Sequence, residues 1–272
     1  MSKRQAVHFL DTSIFYSKIF PYTKQVNLIN QTCTKYNSVT SYYVLMEFQR
    51  GVILTLIEFY FSVKDEGNFN DALIAFAQKY QVRPVKVMLM SLNKLISQKN
   101  IKQELNRTLF TIKNFIIDVL AEFDNSFRQY VPDNIQCKYS KIQIDKPSLN
   151  ITDEALQKFY IEYKHFEPVC NFVNFWNTNK AILNRINGHK LLTKKKQNDQ
   201  LMSLYNILRV DGFNSLAQKC KDCWVLGDTI NTLECPTSFI LVSVDKFYEN
   251  ICSLLGKQYK IIPSVLSLKN RC

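Results

Sequence analysis

Two hydrophobic rhythms alternate along this chain. Ala6 to Leu10 and Phe239 to Val242 are short unbroken apolar runs, the second entered through Pro236-Thr-Ser. Runs of that length bounded by turn residues read as buried strands. Each leads to an aspartate, Asp11 and Asp245, and then to apolar residues at helical spacing. After Asp245, Phe247, Ile251, Leu254 and Leu255 share one face, with Gly256 as the stop. A third junction lies near Val39, where a short strand or turn passes into a helix that is apolar on almost every side from Tyr42 to Val63. Such a helix is buried between neighbours. A fourth lies at Gly227-Asp228, where a short amphipathic run begins (Ile230, Leu233). The stretch from Ile14 to about Ile29 is also helical in pattern, interrupted by Pro21.

The middle of the chain reads as helix after helix: 70–80, 84–98, and 102–127 with Leu105, Leu109, Ile112, Ile116, Val119, Leu120 and Phe123 at i, i+3, i+4 spacing. Residues 131–150 are loop or short extended chain. Another helix starts near Thr152, with Asp153 and Glu154 placed to favour its dipole, breaks at Pro168 and resumes to about Ile186. Lys257 to Ile262 supplies a last strand. Strands that alternate with helices predict an α/β fold around a mostly parallel sheet. The expected organisation is a core from 1–63 and 201–272 with 64–200 as an all-helical insertion or cap. No Gly/Ser/Pro-rich linker borders that insertion, so it is expected to pack beside the core.

The junctions carry the chemistry. Asp11, Glu47, Asp228 and Asp245 each lie near the start of an element, and an acid at the end of a buried strand stands at the carboxyl edge of the sheet, where open α/β folds place their sites. Glu47 is costly to hide in an apolar helix without a cation or hydrogen-bond partners. Ser13 and Ser243 stand beside two of these acids and either orient a carboxylate or cap a helix.

Four pieces, F-L-D-T-S at 9–13, T-S-Y-Y-V-L-M-E-F at 40–48, G-D-T-I-N-T-L-E-C-P at 227–236 and V-S-V-D-K-F-Y at 242–248, together resemble the PIN-domain nucleases. In the last piece Ser243, Asp245 and Tyr248 match the family's pattern of hydroxyl, acid and aromatic. The resemblance covers roughly the first and last sixty residues; the spacing of 181 from Glu47 to Asp228 exceeds what a compact member needs. It implies a PIN-like three-layer core and a nuclease, foremost an endoribonuclease, in which Asp11, Glu47, Asp228 and Asp245 hold Mg2+ or Mn2+ directly or through water. Such hard cations take carboxylate oxygen and water, and four unmetallated carboxylates in one place would repel one another. The alternative is a catalytically inactive PIN-like module that binds nucleic acid or protein.

Composition adjusts this picture modestly. Aromatic and apolar content, 13% and 46%, is globular, and no apolar run reaches membrane-spanning length, so a soluble cytoplasmic protein with no membrane partner is expected. The net charge of +12 suits a polyanion, RNA before DNA, and the segment 64–200 carries 21 basic against 14 acidic side chains. Its densest patch, Lys190, Lys194, Lys195 and Lys196, is a candidate phosphate-contacting loop or simply a solvated one. A protein partner or inhibitor is the other expected contact. Cys220 and Cys223 form a lone C-x-x-C with no second pair, better read as helix packing than as zinc ligands.

Overall fold

The structure, a computed structural model, describes residues 6–20, 26–80, 83–136, 141–142, 144, 151–165, 174–175, 177–182 and 227–263. Five short strands form one all-parallel sheet: β1 (His8–Leu10), β2 (Ser38–Thr40), β3 (Gln129–Tyr130), β4 (Ile240–Ser243) and β5 (Gln258–Ile261), in the order β3-β2-β1-β4-β5. In register, Phe9 lies beside Val39 on one side and Leu241 on the other. The α/β class and parallel sheet expected from the sequence are present. The all-helical expectation for 64–200 is corrected at one point, since β3 comes from that stretch and pairs with β2. Two residues, Gln-Tyr, are too few to show as an apolar run.

From β1 the chain steps outward to β2 and β3, whereas β4 and β5 step the other way. Right-handed crossovers then put the two sets of connecting helices on opposite faces, and the order reverses between β1 and β4. That switch point opens a crevice at the carboxyl ends of the two strands.

The first crossover uses α1 (Thr12–Ile19) and α2 (Val26–Thr32), broken where Pro21 was expected to break them. The second begins with α3 (Tyr42–Phe48), passes through a π-helical turn (Gln49–Ile53) and continues as α4 (Leu54–Glu66). Its apolar surround is buried: Val44, Met46, Phe48, Val52, Leu56, Ile57 and Phe59 are all fully enclosed. The π turn is held by Gln49, whose amide donates to Ile142 O (3.1 Å) and accepts from Tyr163 OH (2.7 Å). Next come α5 (Phe69–Lys79), α6 (Arg83–Gln98) and α7 (Leu105–Asn125). The buried face of α7 carries Ile112, Ile116 and Phe123, and Phe123 stacks on Phe48 with ring centroids 4.4 Å apart.

The helix α8 (Asp153–His165) is pinned by its first residue. Asp153 accepts from Tyr60 OH (2.7 Å) and Lys64 Nζ (2.6 Å) of α4 and pairs with Lys113 of α7. Around β4 lie α9 (Gly227–Glu234) and α10 (Phe247–Leu255); α10 ends at Gly256, whose positive φ of 65° is the left-handed stop that glycine adopts without strain. Lys257 reaches back to the open end of α9, donating to Thr232 O (2.5 Å) and Leu233 O (3.3 Å). A cation there satisfies carbonyls that have no partner within the helix.

Candidate functional site

Asp11 is the first residue beyond β1 and caps α1. Its Oδ2 accepts from Ser13 N (3.2 Å), Ser13 Oγ (2.6 Å) and Ser243 Oγ (2.9 Å). The two hydroxyls lie 3.1 Å apart and accept in turn from Val244 N (3.2 Å) and Asp245 N (3.0 Å). The serines orient Asp11 and fasten the ends of β1 and β4, whereas the caps of the two neighbouring helices are Asp11 itself and Lys246. Asp11 Oδ1 faces the other way, taking Tyr248 OH at 2.8 Å and Asn231 Nδ2 at 3.4 Å.

Glu47 comes to the same place from α3. Its Oε2 accepts from Thr12 Oγ1 (2.5 Å) and Asn231 Nδ2 (3.1 Å). Its Oε1 lies where a side chain on Gly227 would begin; a Cβ there would collide with it, so glycine is what lets α9 start this close. Burial, reinforced by the charge of Asp11, pushes the Glu47 carboxyl up to about 7, with Thr12, Asn231 and Arg50 pulling the other way. Asp228, one residue into α9, accepts from Tyr248 OH at 3.1 Å. Burial raises its pKa well above the usual range, and the charges of Asp11, Glu47 and Asp245 add to that.

Tyr248 is fully buried between two of these acids, and burial beside Asp11 and Asp228 raises its own pKa strongly. A phenol has one proton to give. Asp11 Oδ1 at 2.8 Å and Asp228 Oδ1 at 3.1 Å therefore share a single donor.

Asp11, Glu47 and Asp228 are thus brought together through shared donors. Asp245 is not within that network: it is exposed, and its Oδ1 accepts from Phe247 N (2.9 Å), although its charge is felt at Asp228. Among the described residues no three His, Cys, Asp or Glu side chains converge closely enough to hold a metal ion as they stand. The acids are linked through donors: the Tyr248 hydroxyl reaches Asp11 and Asp228, and the Asn231 amide reaches Asp11 and Glu47. In kind, the set still suits a hard divalent cation, since it is all oxygen. It also holds an unmet acceptor, the Asn231 Oδ1, which is buried without a hydrogen bond from any described residue. Lys190, Lys194, Lys195, Lys196 and the Cys220–Cys223 pair lie outside the described residues.

Sequence reasoning did not assign roles to Thr12, Asn231 and Tyr248. Asn231 had a signal, lying three residues after Asp228 on the same helix; the bridging position of Tyr248 had none beyond its place in the last motif. Glu234 was missed as well. It is 4% exposed, and burial pushes its carboxyl up to about 8, with the Ser41 hydroxyl opposing the rise and the charges of Asp133 and Glu47 adding to it.

Compared with known protein families, with curated proteins and with solved structures, the chain matches none of them.

Proposed function

We propose that this protein is a divalent-metal-dependent nuclease of PIN-like architecture, foremost an endoribonuclease. The observation that carries this reading is the convergence of Asp11, Glu47 and Asp228, from three separate elements, on shared hydrogen-bond donors at the switch point of a parallel sheet. Mg2+ or Mn2+ would be held by these three, with Asp245 contributing from the rim. When bound, such a cation activates water and stabilises the leaving oxygen of a phosphodiester. The chain's own part is orientation. Ser13 and Ser243 fix Asp11 Oδ2, so that Oδ1 alone is presented to the crevice. Thr12 and Asn231 aim Glu47, and Gly227 keeps Asp228 near it. A net charge of +12 favours a polyanionic substrate.

A second reading, a non-cleaving PIN-like module for nucleic acid or a protein partner, is favoured by one observation: Asp245 turns its carboxylate to the backbone of Phe247. Incubating the pure protein with labelled RNA and DNA, in manganese or in chelator, separates the two. The nuclease reading expects internal cleavage of RNA in manganese only. No cleavage of either nucleic acid under any metal condition leaves the binding module.

A further inference from the structure

Asn231 has no exposed surface and stands on α9 one turn after Asp228. Its Nδ2 lies 3.1 Å from Glu47 Oε2, 3.4 Å from Asp11 Oδ1 and 3.4 Å from the Tyr248 hydroxyl. Its Oδ1 is equally buried and meets no donor among the described residues. The amide cannot be turned over to relieve this, because its oxygen would then face two carboxylates. Leaving a buried acceptor unmet destabilises a fold. A residue kept only to fill this space would serve better as an apolar side chain.

The chemistry of position 231 is narrow. An apolar residue would take a donor away from both Asp11 and Glu47. An aspartate would add a fourth negative charge to three that already repel. A carboxamide alone is neutral, donates toward the carboxylates and keeps an acceptor on its other side. Water has hydrogens to give that acceptor, and a hard divalent cation keeps several of its waters when bound.

We infer that Asn231 is a further functional residue of this site: a positioning residue that sets Asp11 and Glu47 through Nδ2 and receives, at Oδ1, a water carried by the divalent cation. The inference rests on the metal-dependent reading above but concerns the cation's hydration, so it is testable without nucleic acid. Loss of a partner in the shell around a metal site costs about 10–100-fold in affinity or activity.

The experiment is a calorimetric titration of the full chain with manganese alone, on wild type, Asn231→Leu and Asn231→Asp, with single-turnover cleavage of RNA run beside it. Asn231→Leu should bind manganese at least about tenfold more weakly. Asn231→Asp should bind it more tightly, through the added charge, yet cleave more slowly, because Asp11 and Glu47 lose their shared donor. A merely structural role would weaken both variants together, and that result overturns the inference, as does wild-type affinity in both. Should the leucine variant fail to fold, Asn231→Asp carries the test alone by its opposite changes in affinity and rate. Wild type that binds manganese but cleaves nothing overturns the nuclease reading while leaving the affinity comparison, and so this inference, intact.

Discussion

Asp153 and Asp228 both sit in the first turn of a helix, where the backbone dipole favours a negative charge, yet their environments drive them in opposite directions. Burial works against ionisation at Asp153, but hydrogen bonds from Lys113, Lys64 and Tyr60 outweigh it and hold the carboxyl far below its usual range. At Asp228 burial is joined by repulsion from Asp11, Glu47 and Asp245, and the hydrogen-bond donor that opposes them, Tyr248, is shared with Asp11. Local position is the same; what differs is whether the tertiary fold brings cations or more acids. The first arrangement fastens α8 to α4 and α7. The second stores uncompensated charge in a crevice, which favours neutral carboxyls or an added cation over a bare fold.

The sharpest break in this contrast is at the centre of the acid-rich site. Asp11→Asn should leave the fold and RNA binding in chelator intact but lower manganese-dependent cleavage by about 100-fold or more, read as the single-turnover rate on labelled RNA. A variant that cleaves at the wild-type rate removes Asp11 from the chemistry.

Glu234 extends the acid-rich pattern to a group with no proposed role. Its folded-state pKa, about 8, lies above the ordinary 4.5. Both states are protonated below about 4.5. As pH rises through 4.5 to 8 the unfolded chain ionises first, so wild type loses stability across that window. Glu234→Gln should escape the loss and unfold at higher urea by pH 8, by on the order of a few kcal/mol, while matching wild type near pH 4. Parallel stability curves for the two proteins from pH 4 to 8 would rule this out.

At Asp153 the sign reverses and the effect is smaller. A depressed carboxyl stabilises the fold above its unfolded value of 3.8 and loses that contribution as pH falls below it. Because Asp153 and its lysines are partly exposed, Asp153→Asn should cost only about 1–2 kcal/mol at pH 7. The stability gap between variant and wild type in urea should narrow progressively as pH falls below 3.8. A gap that stays constant from pH 7 into that acid range would mean the loss comes from packing instead.

How much of this was legible follows from which forces are local. The strands at 6–10 and 239–242, the break near Pro21 and the long buried helix from Tyr42 were visible because apolar spacing and proline act on nearby residues. Asp11, Glu47 and Asp228 could be singled out because each follows or opens such an element. The β3 strand could not, since two residues have no periodicity and Gln129 and Tyr130 are held by pairing with Val39 and Thr40. Nor could the parts of Asn231 and Tyr248, whose hydrogen bonds span 184 residues to Glu47 and 237 to Asp11. The exposed setting of Asp245 came from its own bond to the backbone two residues on, which its strand-end position concealed.

The account turns on the claim that the three converging carboxylates await a cation, and thermal melting addresses it most directly. Asp228, with its folded pKa raised, weakens the metal-free fold as pH rises above the ordinary carboxyl value of 3.8. Melting is measured from pH 5 to 8, in chelator and in manganese, on wild type and Asp228→Asn. Wild type in chelator should melt progressively lower toward pH 8 and recover in manganese, most at the highest pH. The variant should melt higher than wild type in chelator and gain less from the metal. Superimposable wild-type curves with and without manganese at every pH would contradict the claim.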